Sequence, residues 1–468
     1  MLSLKIGDIS VTPRLDGLIE SDAVSFNNAF CQNPICTPSR CSFMSGWYPH
    51  VAGHRLQNNG VNYRMDKNSP VLIKTLKENG YYVWWGGKNH LITGDHRDFC
   101  DYRNEPVNCK KIFGSDAARG GKNGDNYYSF YYGKLDKGSD DVYFDHDWHD
   151  VARAAEFIEN PPKDKPYCVF LSLTYPHPPY AVEEPWYGMA DRNGLPARAP
   201  MLEDNENTPL VMRSILRAQR TANWTDERFN ELRATYLGMI ARVDHQTGMI
   251  LDALRRSGAY DDTAVFFFSD HGDFTGDYGI TEKIPNVFYD CLTCVPFVVK
   301  PPSYVKAAPG TRGALVELID FPATVEELCG VTPAHRHFGR SLVPLITGEA
   351  SEHRSEVYCE GGFMDGELEA VTNGNVIDTD SIYGVRQEIY NQPGAERTRA
   401  VMIRTGGYKY VRRYYERDQF FDLAADPAEL INSIDDPKYR DKIMEMKEKL
   451  LDFYLGTSDV FPNEAHTD

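Results

Sequence analysis

No uninterrupted apolar stretch in this chain approaches the roughly 18 residues that a membrane-spanning helix needs, which excludes a helical membrane protein. The opening from Met1 to Ile6 also lacks the long apolar core of a secretory signal, so the chain as written is expected to be soluble and cytoplasmic. Basic residues are in deficit: 50 Lys and Arg against 68 Asp and Glu leave a net charge of −18. That balance argues against a general nucleic-acid or anionic-membrane surface while leaving room for a local basic pocket. Cysteine is sparse, ten residues in 468 at irregular spacing, which is not the framework of a small disulfide-rich domain. Cys291 and Cys294 form a C-x-x-C, but no second pair or His cluster follows at zinc spacing, so both read as structural thiols. Internal repeats and low-complexity tracts are also lacking.

What remains is a chain with 41% hydrophobic and 12% aromatic residues, long enough for a large core with an appendage. Ser69-Pro70 opens a short apolar-periodic helix that stops at Gly80, and the β-forming run Tyr81 to Trp85 follows, ended by Gly86-Gly87. A helix over 150–158 precedes a second apolar strand over 167–173. A long helix over 226–256 precedes a third, over 264–268. Buried strands separated by helices predict a large, mostly parallel α/β sheet covered on both faces. Ligands of such sheets sit beyond the carboxyl ends of the strands. Those ends carry Lys88-Asn89-His90, Tyr175-Pro176-His177-Pro178 and Ser269-Asp270-His271-Gly272-Asp273. Residues 1–349 are expected to form this domain, with a Gly-, Asp- and Tyr-rich insertion at about 92–145 over the rim. Residues 350–468 are expected to form a smaller α+β domain closed by an amphipathic helix over 436–454.

Cys36-Thr37-Pro38-Ser39-Arg40 places a Cys where Pro38 opens a helix, whose positive end favours an activated nucleophile or an oxyanion. This C-x-P-S-R string resembles the modification signature of the type I, formylglycine-dependent sulfatases of the alkaline phosphatase superfamily. The stretch from Thr12-Pro13 to Phe30, the run Gly80 to His90, Tyr175 to Pro178, Ser269 to Asp273 and Lys283 follow in that family's order. Asp320 to Thr324, Gly339 to Leu342 and Phe421 to Leu423 extend the resemblance into the C-terminal part.

The resemblance implies a sulfuric ester hydrolase of alkaline-phosphatase-like fold in which Cys36 becomes formylglycine through a formylglycine-generating enzyme. Its hydrate attacks the sulfur of the ester and then expels sulfate. Matching residue by residue, Arg40 supports the formylglycine, Lys88 and Lys283 contact sulfate oxygens, His90 assists the nucleophile and His177 protonates the leaving alcohol. Asp270, His271 and the residue at position 36 would ligate a divalent cation, calcium before magnesium. Asp273 and Asp277 read as loop residues. Three departures stand out. Asn is common in the family where His271 stands, and Arg is common where Trp47 stands. The family usually opens with a core strand ending in an Asp-Asp metal pair, whereas only eleven residues precede Thr12 and Asp8 is a lone carboxylate. A missing first strand and an incomplete, weakened metal site are expected.

Two other functions fit these residues: a phosphonate monoester or phosphodiester hydrolase, and a noncatalytic sulfoglycan-binding protein. The expected substrate is a sulfated small molecule or glycan, with Tyr127, Tyr128, Tyr131, Tyr132 and Trp148 as candidate stacking surfaces for sugar rings.

Overall fold

A computed structural model describes residues 5–6, 9–51, 53–55, 65–110, 124–333, 335–367, 384–390, 394 and 397–460. Asp8 and part of the insertion lie outside them. The strands that concern the site fall into two sheets. In the first, β1 (Val24–Phe30) holds the centre. In the second, β2 (Tyr82–Gly87) pairs in parallel with β3 (Tyr102–Arg103) and with a later strand. Further along come β4 (Tyr131–Lys134), β5 (Tyr167–Ser172) and β6 (Tyr180–Val182). The remaining strands of this part are β7 (Val265–Phe268), β8 (Cys294–Val295), β9 (Phe297–Lys300) and β10 (Gly310–Glu317).

The second sheet has the order β3-β2-β5 and is wholly parallel. The first has β8 and β9 along one edge of β1, both antiparallel to it, while β10 pairs the other edge in parallel. Its last strand, β7, is antiparallel to β9. Pairing is therefore parallel throughout the second sheet, whereas in the first every pairing made by β8 or β9 is antiparallel and only β1–β10 is parallel. Pro296 interrupts the β8–β9 segment, since a proline cannot donate to the ladder. The insertion strand β4 pairs in parallel with β6.

The two sheets share their helical layers. Helices α1 (Pro13–Ser21), α2 (Cys36–Ser45), α3 (Leu72–Glu78), α4 (His146–Glu159), α5 (Asp226–Ser257) and α6 (Asp320–Cys329) cover them. On one face Cys168 and Phe170 of β5 and Phe266 and Phe268 of β7 join one apolar cluster with Phe43, Leu72 and Phe321. On the other, Tyr167, Val169 and Val265 pack on Ile158, Ala253 and Leu254. At the strand starts the Tyr167 hydroxyl lies against Thr263. At their ends one arginine reaches both strands. So β5 and β7 run side by side in the same direction, yet among the described residues no strand pairs with either facing edge. Their side chains are only half-buried, whereas β9 is buried throughout. A core strand was expected to be missing from this sheet, and the gap between β5 and β7 is where the described strands are discontinuous.

Local details follow from capping. Helix α3 starts at Leu72 rather than at Pro70, because Ser69 turns back to bond Asp66 and leaves Val71 as an extended cap. Beyond 350, an antiparallel sheet β11 (Glu356–Gly361), β12 (Ala400–Thr405), β13 (Tyr408–Arg413) and β14 (Gln419–Asp422) packs under α7 (Arg440–Thr457). Met446, Leu450 and Phe453 of α7 fill its face.

Candidate active site

Cys36 is the first residue of α2, which follows an extended Ile35 and is buried along its whole length. Its Sγ lies 3.1 Å from Nε2 of His271. The His271 ring is fixed from behind, since Nδ1 donates to the Gly272 carbonyl at 2.8 Å and Nε2 is left facing the sulfur. Asp270, at the end of β7, accepts from Arg40 Nε at 2.8 Å, and Ser39 Oγ donates to its backbone carbonyl at 2.5 Å. The Arg40 Nη1 group donates to Ser172 Oγ at the end of β5. Arg40 thus ties the two strand ends together.

Lys88 follows β2, whose last residue, Gly87, sits at φ +83° in the left-handed region. A Cβ at Gly87 would lie 2.0 Å from the Ser172 carbonyl, so only glycine lets the chain turn here and present Lys88. The Lys88 amide donates to that same carbonyl at 2.8 Å. His177 donates through Nδ1 to the Pro178 carbonyl at 2.7 Å, and its Nε2 accepts from Lys283 Nζ at 3.0 Å. Lys283 is braced in turn by Glu282 at 2.9 Å, and Glu282 by Arg386 at 2.8 Å.

The charges are strongly coupled. Burial opposes ionisation of the Cys36 thiol, yet His271, Lys88 and Lys283 together pull its pKa well below the usual thiol value. Burial also lowers Lys88 and His90, with neighbouring cations adding to the effect. His177 falls to about 4, by burial first and then by Lys283 and Lys88, so at neutral pH its imidazole is uncharged. His271 rises to about 9, because the Asp270 carboxylate and Cys36 outweigh the burial that would depress it. Asp270 itself is lowered against burial by Arg40 and His271. The result is a buried pocket floor with an excess of positive groups, suited to the oxygens of a tetrahedral anion.

Every residue singled out at the strand ends therefore converges on Cys36: Arg40, Lys88, His90, His177, Asp270, His271 and Lys283. Lys300, the other basic residue near Lys283 in sequence, instead donates to the carbonyls of Tyr260, Thr263 and Pro301. Asp273 accepts from the Tyr180 hydroxyl at 2.9 Å, and Asp277 from the Ala199 amide at 2.8 Å. Trp47 points away, its Nε1 donating to the Arg336 carbonyl at 2.6 Å. Glu282 and Arg386 were not legible as site residues. Glu282 adjoins Lys283 without any spacing signal, and Arg386 comes from a distant short helix, Gly384–Tyr390.

One expectation is corrected. Tyr127 and Trp148 are buried, and Trp148 packs with Trp186 and α5 side chains while its Nε1 donates to Glu183 at 3.1 Å, so neither offers a face to a sugar. Tyr131 and Tyr132 pack at the margin of the same cluster, and the Tyr131 hydroxyl donates to Glu231 at 2.9 Å. The insertion strand is thus held as part of a core. Cys291 and Cys294 remain thiols that burial makes harder to ionise.

Among the described residues, one group could hold a metal ion: Cys36, Asp270 and His271, with donor atoms all within 4.8 Å of one another. It offers one sulfur, one nitrogen and one carboxylate. Calcium takes about six to eight oxygens, so these residues do not fit it.

Comparison with known proteins agrees with this geometry. The family model described as Sulfatase matches residues 1–331. Choline-sulfatase of Rhizobium meliloti is 26% identical, over 92% of this chain and 79% of its own length. Delta 4,5-hexuronate-2-O-sulfatase of Bacteroides thetaiotaomicron is 27% identical, over 94% of this chain and 83% of its own. The solved phosphonate monoester hydrolase of Agrobacterium radiobacter shares the fold, with a TM-score of 0.73, 22% identity and coverage of 97% of this chain and 95% of that one. A family match over most of the chain, converging with a pocket built for a tetrahedral anion, shows that the chain belongs to the sulfatase family of the alkaline phosphatase superfamily and is a sulfuric ester hydrolase.

Proposed function

We propose that this chain hydrolyses a sulfate ester on a carbohydrate, after conversion of Cys36 to formylglycine by a maturation enzyme. The observation that carries this reading is the position of Cys36, buried at the first turn of α2 and ringed by His271, Lys88, Lys283 and His177. Once converted and hydrated, position 36 supplies an oxygen nucleophile.

The surrounding side chains divide the remaining tasks. Lys88 and Lys283 bind the ester's sulfate oxygens, where negative charge must be held as the ester bond breaks. His177 carries no proton on Nε2 in this geometry, because that nitrogen accepts from Lys283. The proton for the leaving alcohol is therefore held by the Lys283–His177 couple, with Glu282 and Arg386 keeping Lys283 in place. His90 takes a proton from the nucleophile, burial keeping its imidazole in the neutral form a base requires. Arg40 acts through Asp270 and is a positioning residue. A sugar is proposed because two of the relatives, the hexuronate 2-O-sulfatase and the N-acetylglucosamine-6-O-sulfatase of Bacteroides thetaiotaomicron, are named for sugar substrates.

Two measurements test this. After co-expression with a formylglycine-generating enzyme, the peptide containing Cys36 should lose about 18 Da as the thiol becomes an aldehyde, a prepared nucleophile. The converted chain should then turn over a 2-O-sulfated unsaturated hexuronate disaccharide faster than choline sulfate, an aryl sulfate or phenyl phosphonate. Conversion followed by preference for the phosphonate would replace this reading with that of a phosphonate monoester hydrolase.

A further inference from the structure

We propose that Asp147 is a positioning residue for sulfate-ester hydrolysis, whose carboxylate holds the turn after β5 by the Thr174 and Tyr175 amides and so sets the His177 ring against Lys283 and Cys36. The inference rests on the proton-supplying role given above to the Lys283–His177 couple and is independent of the alcohol that carries the sulfate.

Asp147 lies in the first turn of α4 and is 2% exposed. Both of its carboxylate oxygens are taken by the loop that follows β5. The Thr174 amide donates to Oδ1 at 2.9 Å and to Oδ2 at 3.0 Å, and the Tyr175 amide donates to Oδ2 at 2.8 Å. His177 is tied to the same few residues, since its amide donates to the Thr174 carbonyl at 2.9 Å and its Nδ1 to the Pro178 carbonyl at 2.7 Å. The ring is therefore fixed to its own turn, and Asp147 anchors that turn to α4. Arg242 of α5 supports the same loop: its guanidinium lies 4.0 Å from the centre of the Tyr175 ring and donates to Asp145 at 2.6 Å and to Glu183 at 3.3 Å.

Only the ionised form of Asp147 serves both amides. A carboxylate accepts at both oxygens, whereas a carboxylic acid or a carboxamide turns one of those positions into a donor facing an amide N–H. The charge-assisted bonds and the positive end of α4 favour the carboxylate. The charged side chains around it are Asp145, at the start of its own helix, and Arg242, which is shared with Glu183. Burial first and then Asp145 oppose ionisation, the two amides and Arg242 favour it, and the balance raises the Asp147 pKa to about 6. A displaced turn would part His177 Nε2 from Lys283 Nζ, which lie 3.0 Å apart. Misplacement by about 1 Å costs on the order of 100-fold in rate.

The test uses the full chain, converted by a formylglycine-generating enzyme, and a pair of aryl sulfates. The phenolate of para-nitrophenyl sulfate leaves without a proton, and that of para-methoxyphenyl sulfate leaves slowly unless it receives one. Asp147→Asn copies the protonated acid, and should lower kcat about 100-fold for the methoxyphenyl ester but less than about 5-fold for the nitrophenyl ester, with KM unchanged for both. His177→Gln should show the same pattern, and the double variant no further loss. Equal losses on the two esters, or losses that multiply in the double variant, would overturn the proposal. Should Asp147→Asn fail to fold, the wild-type chain decides. As pH falls through about 6, Asp147 takes up a proton, and the ratio of methoxyphenyl to nitrophenyl turnover should fall with it. A ratio that stays level or rises refutes the anchoring.

A readout without turnover separates this inference from the role of His177. In the chain carrying isotope-labelled histidine, magnetic resonance should show the His177 ring, assigned through His177→Gln, titrating at about 4 in the wild type. In Asp147→Asn the midpoint should rise by at least about one pH unit, as the ring leaves its buried place beside Lys283. An unmoved midpoint would overturn the proposal. A His177→Gln variant indifferent to the leaving group would remove the proton role of His177, and the midpoint alone would then decide for or against Asp147.

Discussion

The strands β5 and β9 look alike as sequence, Tyr-Cys-Val-Phe-Leu-Ser and Phe-Val-Val-Lys, each a short apolar run of the kind expected at the centre of a sheet. In the structure they differ. β9 is paired on both edges, by β1 and β7, and is fully buried. Among the described residues β5 is paired on one edge only, by β2, and its first five residues are half-buried, as are all four of β7. Apolar composition states what a strand would gain by burial, but a neighbour on each side is what delivers it. The site straddles this difference, with Lys88 and His177 on the β2–β5 side, Asp270 and His271 on the β7 side, and Arg40 between them.

That contrast can be broken at graded cost. The largest effect is expected from Phe297→Ala in the doubly paired β9, where a fully buried ring leaves a cavity. Denaturant unfolding should show a loss of about 4 kcal/mol. Next is Arg40→Ala, which strands the Asp270 carboxylate and unties the ends of β5 and β7. A loss of about 3 kcal/mol is expected, and a loss below about 1 kcal/mol would mean that the helical layers alone hold the two sheets together.

A third expectation concerns the antiparallel sheet, in which every strand is joined to its neighbour and Glu360 is buried against His50 and Arg399. Burial would raise the Glu360 pKa, but His50 and Arg399 hold it at about 2. A depressed carboxylate stabilises the fold fully above its unfolded value of about 4.3, and the contribution disappears as pH falls from there toward about 2. Between pH 6 and pH 3 the wild type should lose on the order of 2 kcal/mol more stability than Glu360→Gln, measured by denaturant unfolding at each pH. The smallest effect is reserved for Phe266→Ala in β7. Its ring is already half-buried, so about 1 kcal/mol is expected. A value near that of Phe297→Ala would erase the distinction between the two regions.

Much of the site was legible because its residues obey a positional rule. Lys88, His177 and Asp270 each follow a strand, and strand ends in such a sheet share one rim. Cys36 and Arg40 were legible as a string that opens a helix. The rest depends on contacts between segments far apart in sequence. Nothing at Arg386 announces that it will brace Glu282 from a helix more than a hundred residues away, and nothing in the run Phe297 to Lys300 states that it will lie antiparallel to its neighbours. The aromatic insertion misled for a related reason. Tyr127 and Trp148 have the composition of a sugar platform, but both are buried, Trp148 against the apolar side chains of α5, and burial of large rings outweighs display. The start of α3 shifted because Ser69 bonded backward to Asp66 instead of forward into the helix.

The unpaired edges of β5 and β7 carry one more consequence. An exposed strand edge is ordinarily a liability, a template on which another chain can build a sheet. Here the two edges face a common gap between shared helical layers, and the side chains of both strands are only half-buried. Among the described residues, one extended segment laid lengthwise in this gap could pair with both edges at once, which stacking on a single outer edge does not achieve.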